Sequence, residues 1–123
     1  MNTYFLIAAI LSLLMGITHS IMGEKYFLAY LFMREHLEEV GNEVYVNRTT
    51  RIAWHLTSIA WMGVAIILFV LAHHHENPMV PILASVIALV FLGSALLSAI
   101  GSRGRHLLWI VFLIISLLTW LGI

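Results

Sequence analysis

The sequence predicts an all-α membrane protein, an antiparallel bundle of four transmembrane helices forming one domain over residues 1–123. Hydrophobic residues make up 62% of the chain and charged residues 10%, and the mean hydropathy is +1.00. Four apolar runs of about 16 to 21 residues fill most of the chain, and at ~1.5 Å per residue such helices approach the ~30 Å hydrocarbon core. Runs this long suit helices rather than the ~10-residue strands of a membrane barrel.

The four runs predict helices at about 3–22, 52–72, 79–99 and 107–122, joined by a long first connection at 23–50. The apolar stretch from Tyr26 to Met33 should lie in the membrane interface, followed by a charged segment in which Arg34 and Glu38 are spaced to pair on a helix. Gly41-Asn42 is a plausible stop for that segment. An alternative is that the first helix continues past Gly23 into the cytoplasm.

The ends of the later helices also have sequence signals. Asn47 is interpreted as the N-terminal cap of the second helix, because its side chain can accept a hydrogen bond from a free amide of the first turn. Pro78 and Pro81 fit the first turn of the third helix, where a missing amide proton costs least.

Orientation follows from the lysines and arginines, all six of which fall in the first and third connections: Lys25, Arg34, Arg48, Arg51, Arg103 and Arg105. Positive residues are retained on the cytoplasmic side of a membrane. The sequence therefore predicts cytoplasmic connections at 23–50 and 100–105 and both termini outside. No basic residue precedes the first run and no cleavage pattern follows it closely, so we expect that run to be a permanent helix.

Three histidines lie about one helical turn inside three different apolar runs: His19, His55 and His106. The predicted topology places all three at the cytoplasmic end of the bundle, with Glu24 just beyond His19. Polar groups within a membrane are costly and are usually paired or functional. Residues at equal depth on different helices can converge if they face the bundle axis.

Three imidazoles and a carboxylate form a complete ligand set for a transition metal, so His19, Glu24, His55 and His106 are a candidate site for Zn, Fe, Cu or Ni. His36 and its neighbouring glutamates could hold a second ion. The competing interpretation is that the histidines only form hydrogen bonds, and that the chain is a structural or accessory subunit of a larger membrane complex. Haem is less favoured, because so little helix beyond the site remains to cover a porphyrin. Proton-coupled transport is a third class, weakened by the absence of a charge at the bilayer centre.

Arg51, Arg105, Trp54 and Trp109 lie at the predicted cytoplasmic interface, where such residues commonly anchor a protein to lipid headgroups. Their functional alternative is to bind a cofactor, with the arginines neutralising an anionic ligand beside the histidines. Trp61 lies nearer the middle of its helix, which suggests buried packing or a place in a pocket wall.

Small residues recur every four positions in the first helix, at Ala8, Ser12, Gly16 and Ser20. Such a stripe lets helices approach closely, either within the bundle or in a homo-oligomer or larger membrane complex. The net charge is zero, so nucleic acid is not an expected partner, whereas the lipid bilayer is. There is no cysteine, which excludes disulfides and thiolate chemistry, and no catalytic motif is present, so enzymatic activity is left open.

Three segments carry a resemblance: His-Ser-x-x-Gly-Glu at 19–24, Trp-His-x-x-Ser at 54–58 and Gly-Arg-His-x-x-Trp at 104–109. Through them the chain resembles a group of small bacterial four-helix membrane proteins to which no activity is attached. The resemblance implies a bacterial inner membrane. Small multidrug-resistance transporters are similar only in length and helix count, because they carry a carboxylate deep in the first helix, where this chain has Ala8 to Gly16.

Overall fold

The computed structural model describes residues 1–32 and 43–123, and the predicted all-α class is confirmed. The helices are α1 (Thr3–Met22), α2 (Ala29–Phe32), α3 (Glu43–His73), α4 (Val80–Gly101) and α5 (Leu108–Leu121). A π-helical segment, Gly23–Leu28, joins α1 to α2 without a break.

Three stretches are long and apolar enough to cross a membrane: Thr3–Leu28, Tyr45–His73 and Val80–Gly101. The fourth, α5, has 14 residues and is therefore about 21 Å long, shorter than the ~30 Å hydrocarbon core. The described residues thus contain three candidate spans and one shorter apolar helix, rather than four spans. The fourth apolar run was the shortest of the four, and α5 begins one residue later and ends one residue earlier than predicted.

The α-helix α1 ends at Met22, as predicted, but the helical backbone continues past Gly23 as the π-helical segment, which is the alternative that the sequence left open. Gly23 has right-handed helical angles (φ −58°, ψ −51°), so it extends the helix instead of ending it. Ordinary helical positions accept glycine at a cost of only ~1 kcal/mol, which packing readily offsets. The pairing of Arg34 with Glu38, the second-ion site at His36 and the stop at Gly41-Asn42 all lie outside the described residues.

The second predicted helix begins nine residues too late, because α3 starts at Glu43 rather than at residue 52. Asn47 is consequently not a cap. It lies inside α3, and its side-chain oxygen is buried with no hydrogen-bond partner among the described residues. Polar residues alone do not end a helix, because its backbone amides are satisfied internally. The α4 prediction was closer: Pro81 lies in its first turn, and Pro78 lies just before the helix begins at Val80.

The helices pack in the order α3, α1, α5, α4, and α3 touches α4 only slightly. The α1–α3 interface uses the small-residue stripe. Ser12 is fully buried and its hydroxyl donates to the Trp61 carbonyl at 3.0 Å. A β-carbon on Gly16 would stand 3.0 Å from the Ser58 carbonyl oxygen, so a larger residue would push the helices apart. The stripe therefore serves the internal packing of the chain.

One end of the bundle, called the terminal end, is closed by Asn2. Its side-chain oxygen accepts from the backbone N–H groups of Tyr4 and Phe5 and so caps α1. Its backbone N–H donates to the Ala72 carbonyl at 2.8 Å, and its side-chain amide donates to the Gly122 carbonyl at 2.8 Å. Phe5 is completely buried beside these contacts. The ends of α1, α3 and α5 are therefore tied together at one point.

The opposite end, called the basic end, carries the described lysine and arginines: Lys25, Arg48, Arg51, Arg103 and Arg105. Here α1 and α5 separate, and a cavity opens between them. The bundle is thus a wedge, shut at the terminal end and open at the basic end.

Candidate functional site

Two neighbouring groups of side chains occupy the basic end. One is the α1–α3 cluster, formed by Ser20, Glu24, Arg51 and His55. The other is the α1–α5 cavity, whose wall includes His19, Arg105 and His106. They share the same end of α1, whose opposite faces contact α3 and α5.

The α1–α3 cluster is a chain of hydrogen bonds in which both nitrogens of His55 are engaged. Its Nδ1 lies 2.7 Å from the Ser20 hydroxyl and its Nε2 lies 3.2 Å from Glu24 Oε2. The other Glu24 oxygen, Oε1, pairs with the Arg51 guanidinium at 3.0 Å. Residues four apart on a helix share a face. This spacing aligns Ser20 with Glu24 on one side of the interface and Arg51 with His55 on the other.

The cluster is partly open to its surroundings. The side chains of Arg51, Glu24 and His55 are 51%, 44% and 36% exposed. Ion pairs this exposed contribute at most about 1 kcal/mol in water, because solvent screens them and ordering long side chains costs entropy. The cluster therefore acts mainly by fixing the relative position of α1 and α3, and it balances the Glu24 charge locally.

His19 is held by α3 on one side. Its Nδ1 lies 2.9 Å from the hydroxyl of Ser58, which is buried. Its ring stacks on Trp54, with centroids 4.2 Å apart and planes within 2°, and meets the edge of Trp61 at 4.7 Å. The Trp54 indole N–H also donates to the His19 carbonyl at 2.9 Å. The imidazole is thus oriented by a hydrogen bond and two aromatic contacts.

Trp54 fits against the π-helical segment because Gly23 has no side chain. A β-carbon at Gly23 would overlap the indole ring. Phe27, one turn later, stacks on the other side of Trp54 with centroids 4.7 Å apart. Such π-helical turns are rare and frequently occur at functional sites. Here the π-helical segment packs against Trp54, whose ring stacks on His19.

The α1–α5 cavity has a volume of about 710 Å³, within the ~300–1,000 Å³ range of small-molecule sites. Along α1 and the π-helical segment its wall runs from Leu11 to Phe27, a length of about 24 Å. Most of this wall is apolar and comes from both sides: Leu11, Leu14, Met15, Met22, Leu108 and Val111. The cavity is therefore long and mainly apolar.

Nitrogen-bearing side chains line the cavity toward the basic end, where His19, Arg105 and His106 contribute to its wall. No acidic residue lines it in the part of the chain that the structure describes. Within that part, Arg105 also forms no ion pair, and its side chain is exposed. Among the residues that the structure places, the side chains at the mouth of the cavity consequently carry a net positive charge.

A tight turn after α4 places Arg105 and His106. Arg103 and Gly104 adopt left-handed backbone angles (φ 52° and 75°), and the Gly104 N–H returns to the Ala99 carbonyl at 2.8 Å. This pattern ends the helix and satisfies one of its free carbonyls. Trp109 holds the turn from α5, since its indole N–H donates to the Gly104 carbonyl at 3.3 Å.

The predicted metal ligands are divided between the two groups. His19 and His106 line the cavity, whereas Glu24 and His55 bind each other in the α1–α3 cluster. No three His, Asp or Glu side chains among the described residues are arranged to hold one metal ion. Of the predicted cofactor-binding residues, Arg105 and Trp54 line the cavity, Arg51 binds Glu24, and Trp109 supports the turn.

The cavity also uses residues that sequence reasoning did not select. Thr18, Met22 and Tyr26 are spaced four apart and line the same wall, with Phe27 beside them. Their spacing was a usable signal, because it marks one helix face that carries both polar and apolar groups next to His19. Trp61 does not line the cavity. It packs against Phe112 and His19 instead.

His19 can present either a hydrogen-bond donor or an acceptor to the cavity. The Ser58 hydroxyl can donate to or accept from Nδ1, so either neutral tautomer of His19 is compatible with this bond. Its Nε2 has no hydrogen bond to the described residues and can serve a ligand as donor or acceptor.

The chain matches no protein-family model, no curated protein and no solved structure.

Proposed function

We propose that this chain is an integral membrane protein that binds an amphipathic small molecule in the α1–α5 cavity. The observation that carries the proposal is the composition of the cavity wall: mainly apolar side chains of α1, the π-helical segment and α5 accompany three nitrogen-bearing side chains, His19, Arg105 and His106. Ligand sites commonly combine a predominantly apolar wall with a few polar groups that fix orientation. The apolar part of the ligand would lie between α1 and α5, and its polar part would lie at the basic end.

We further propose that the basic end faces the cytoplasm of a bacterium, with both termini on the outer side of the inner membrane. The support is the concentration of the described basic residues at that end and their absence from the α3–α4 connection. The ligand would then enter sideways from the bilayer, with its polar group at the cytoplasmic interface.

The α1–α3 cluster has a supporting part in this proposal. It joins the π-helical segment to α3 through Glu24 and His55, and so keeps Trp54 beside Gly23 and His19. The wall of the cavity is thereby fixed before a ligand arrives, which lowers the entropy cost of binding.

Filling the cavity tests the proposal. Val111→Trp places a large ring in the wall, and Ile114→Trp is the matched control, because Ile114 lies three residues further along α5 with its side chain exposed and outside the cavity wall. The proteins are purified in mild detergent and analysed by native mass spectrometry. We expect a stoichiometric bound amphiphile in the wild type and in Ile114→Trp, and its loss in Val111→Trp, with similar melting temperatures for the two variants. A wild type without such a molecule, or a Val111→Trp protein that retains it, contradicts the proposal.

A second candidate function is transition-metal binding, with Zn, Fe, Cu or Ni as the ion. The observation favouring it is that His19 and His106 line one cavity, while His19 Nδ1 is held by Ser58. Metal-binding imidazoles are typically oriented by a hydrogen bond from their other nitrogen. Water or a bound ligand would complete the coordination, with Glu24 and His55 joining only if their mutual bond opens.

Elemental analysis of protein purified without a histidine tag tests the metal candidate. One equivalent of metal in the wild type and none in His106→Ala would support it, and metal-free wild type would contradict it. Protein with neither metal nor amphiphile would favour the remaining interpretation, a structural or accessory subunit whose histidines form only hydrogen bonds.

A further inference from the structure

The charge of the cavity narrows the class of ligand. Arg105 is the one fully charged side chain that the described part of the cavity wall contains, and the neighbouring donors are the imidazoles of His19 and His106 and the hydroxyl of Tyr26. Glu24, the carboxylate of the α1–α3 cluster, is already matched by Arg51 and His55. The described side chains therefore place a net positive charge at the mouth of the cavity, which favours a negatively charged group on the ligand.

The shape of the cavity narrows the class again. The wall along α1 and the π-helical segment extends about 24 Å from Leu11 to Phe27, with Thr18 and His19 as polar positions within it, and is much longer than a compact ligand would need. The volume of about 710 Å³ is that of a site for one drug-sized molecule. These dimensions fit one extended hydrocarbon chain better than a phospholipid with two chains.

Resting on the proposed function, we infer that the ligand is a single-chain lipid with an anionic head, a carboxylate or a phosphate, which binds Arg105 with help from His106 and His19. Guanidinium groups bind both kinds of head through charge-assisted hydrogen bonds, often two at once. The long arginine side chain also suits this place, because it can keep its charge at the membrane interface while its stem contacts apolar groups.

Trp54 provides a local reporter of this binding, because it lines the cavity. Trp120, which lies near the terminal end, is replaced in the variant Trp120→Phe, whereas Trp61 and Trp109 are kept because they contact His19 and the turn that places Arg105. The melting temperature and helical content of Trp120→Phe are compared with those of the wild type. The protein is placed in nanodiscs of zwitterionic phospholipid. Three probes with the same brominated chain, which quenches nearby tryptophan, are titrated: a fatty acid, a lysophosphatidic acid and an uncharged fatty alcohol.

We expect saturable quenching by at least one of the two anionic probes, and binding of the alcohol at least about tenfold more weakly, the loss that a charged hydrogen bond typically produces. Binding of the fatty acid alone would identify a carboxylate head, and binding of the lysophosphatidic acid alone a phosphate head. Arg105→Gln should weaken the anionic probe to the level of the alcohol, whereas Arg105→Lys should retain most of the affinity. Arg103→Gln is the matched control, since Arg103 lies in the same turn but outside the cavity wall.

The inference and the proposed function fail differently in this experiment. Equal saturable binding of alcohol and anionic probes, or an Arg105→Gln protein that binds like the wild type, overturns the anionic head but leaves amphiphile binding intact. Equal losses in Arg105→Gln and Arg103→Gln also overturn it, because they indicate attraction to the surface in general. If no probe quenches saturably, both the inference and the proposed function fall.

Discussion

No side chain larger than hydrogen fits at Gly23, because the Trp54 indole occupies the space that a β-carbon would need. Gly23→Ala should therefore force the tryptophan away from its stack on His19. Overpacked positions typically lose about 1–3 kcal/mol of folding free energy. We expect a lower melting temperature by circular dichroism and a changed emission maximum of tryptophan fluorescence.

Gly93→Ala is the control for this substitution. Gly93 is exposed on α4, and a β-carbon there would meet nothing within 4 Å. Alanine is a better helix former than glycine by ~1 kcal/mol, so this variant should match or exceed the stability of the wild type. Gly23→Ala that melts at the same temperature as Gly93→Ala would disprove the steric role of Gly23.

Individual residues also show how far the sequence could predict the site. The depth of a polar residue follows from its position in an apolar run, so the relation of His19, His55 and Glu24 to one end of the bundle could be anticipated. The direction in which each side chain points depends on helix rotation, which hydropathy does not report in a helix that is apolar on all sides. The sequence therefore could not show that His106 lines the cavity between α1 and α5 whereas His55 belongs to the α1–α3 cluster.

At the scale of the helices, Ser116 joins α5 to α4. It is buried, and its hydroxyl donates to the Ala88 carbonyl of α4 at 2.7 Å. Bonds between membrane helices are worth ~0.6 kcal/mol on average and up to ~1.7 kcal/mol. Ser116→Ala should lower the free energy of unfolding by about this amount in a denaturing-detergent titration.

Ser94 allows a matched comparison within the same helix pair. Its hydroxyl donates to the Val90 carbonyl of its own helix at 2.8 Å, so Ser94→Ala removes no contact between helices. We expect little change in the free energy of unfolding. Equal effects of the two substitutions would show that the Ser116 bond contributes nothing specific to the packing of α4 on α5.

The helices were predictable as elements, and most of their ends were predictable to within two residues, with the start of α3 as the exception. Apolar length reveals a membrane-crossing helix, and α4 deviates from its predicted bounds by only one or two residues. The start of α3 extends nine residues into polar sequence, where side-chain type restrains the backbone weakly. The π-helical segment has no reliable sequence signature. It is stabilised by tertiary contacts, above all Trp54 against Gly23 and Phe27.

The orientation of the whole molecule can be tested with single cysteines, because the chain contains none and the wild type is a blank. Glu76→Cys marks the α3–α4 connection and Lys25→Cys marks the basic end, and both positions are exposed. Spheroplasts expressing each variant are treated with a membrane-impermeant maleimide before or after lysis.

We expect Glu76→Cys to react in intact spheroplasts and Lys25→Cys to react only after lysis, because positively charged connections are retained in the cytoplasm. A third variant, Lys25→Cys with Tyr45→Lys, restores a basic residue at the same end of the bundle and checks that loss of one lysine does not itself invert the protein. Reaction of Lys25→Cys in intact spheroplasts would refute the proposed orientation.

The hydrogen bonds of Asn2 to α3 and α5 constrain the order in which the protein can assemble during synthesis. Residue 2 bonds to Ala72 and to Gly122, and the second partner is 120 positions away in the chain. A ribosome delivers Asn2 to the membrane 120 residues before Gly122, so the Asn2 side-chain amide has no bond to Gly122 until α5 has been synthesised. The terminal end is therefore completed late in assembly. In a nascent chain halted before residue 122, the bond from Asn2 to Gly122 cannot form, and the terminal end should remain open like the basic end.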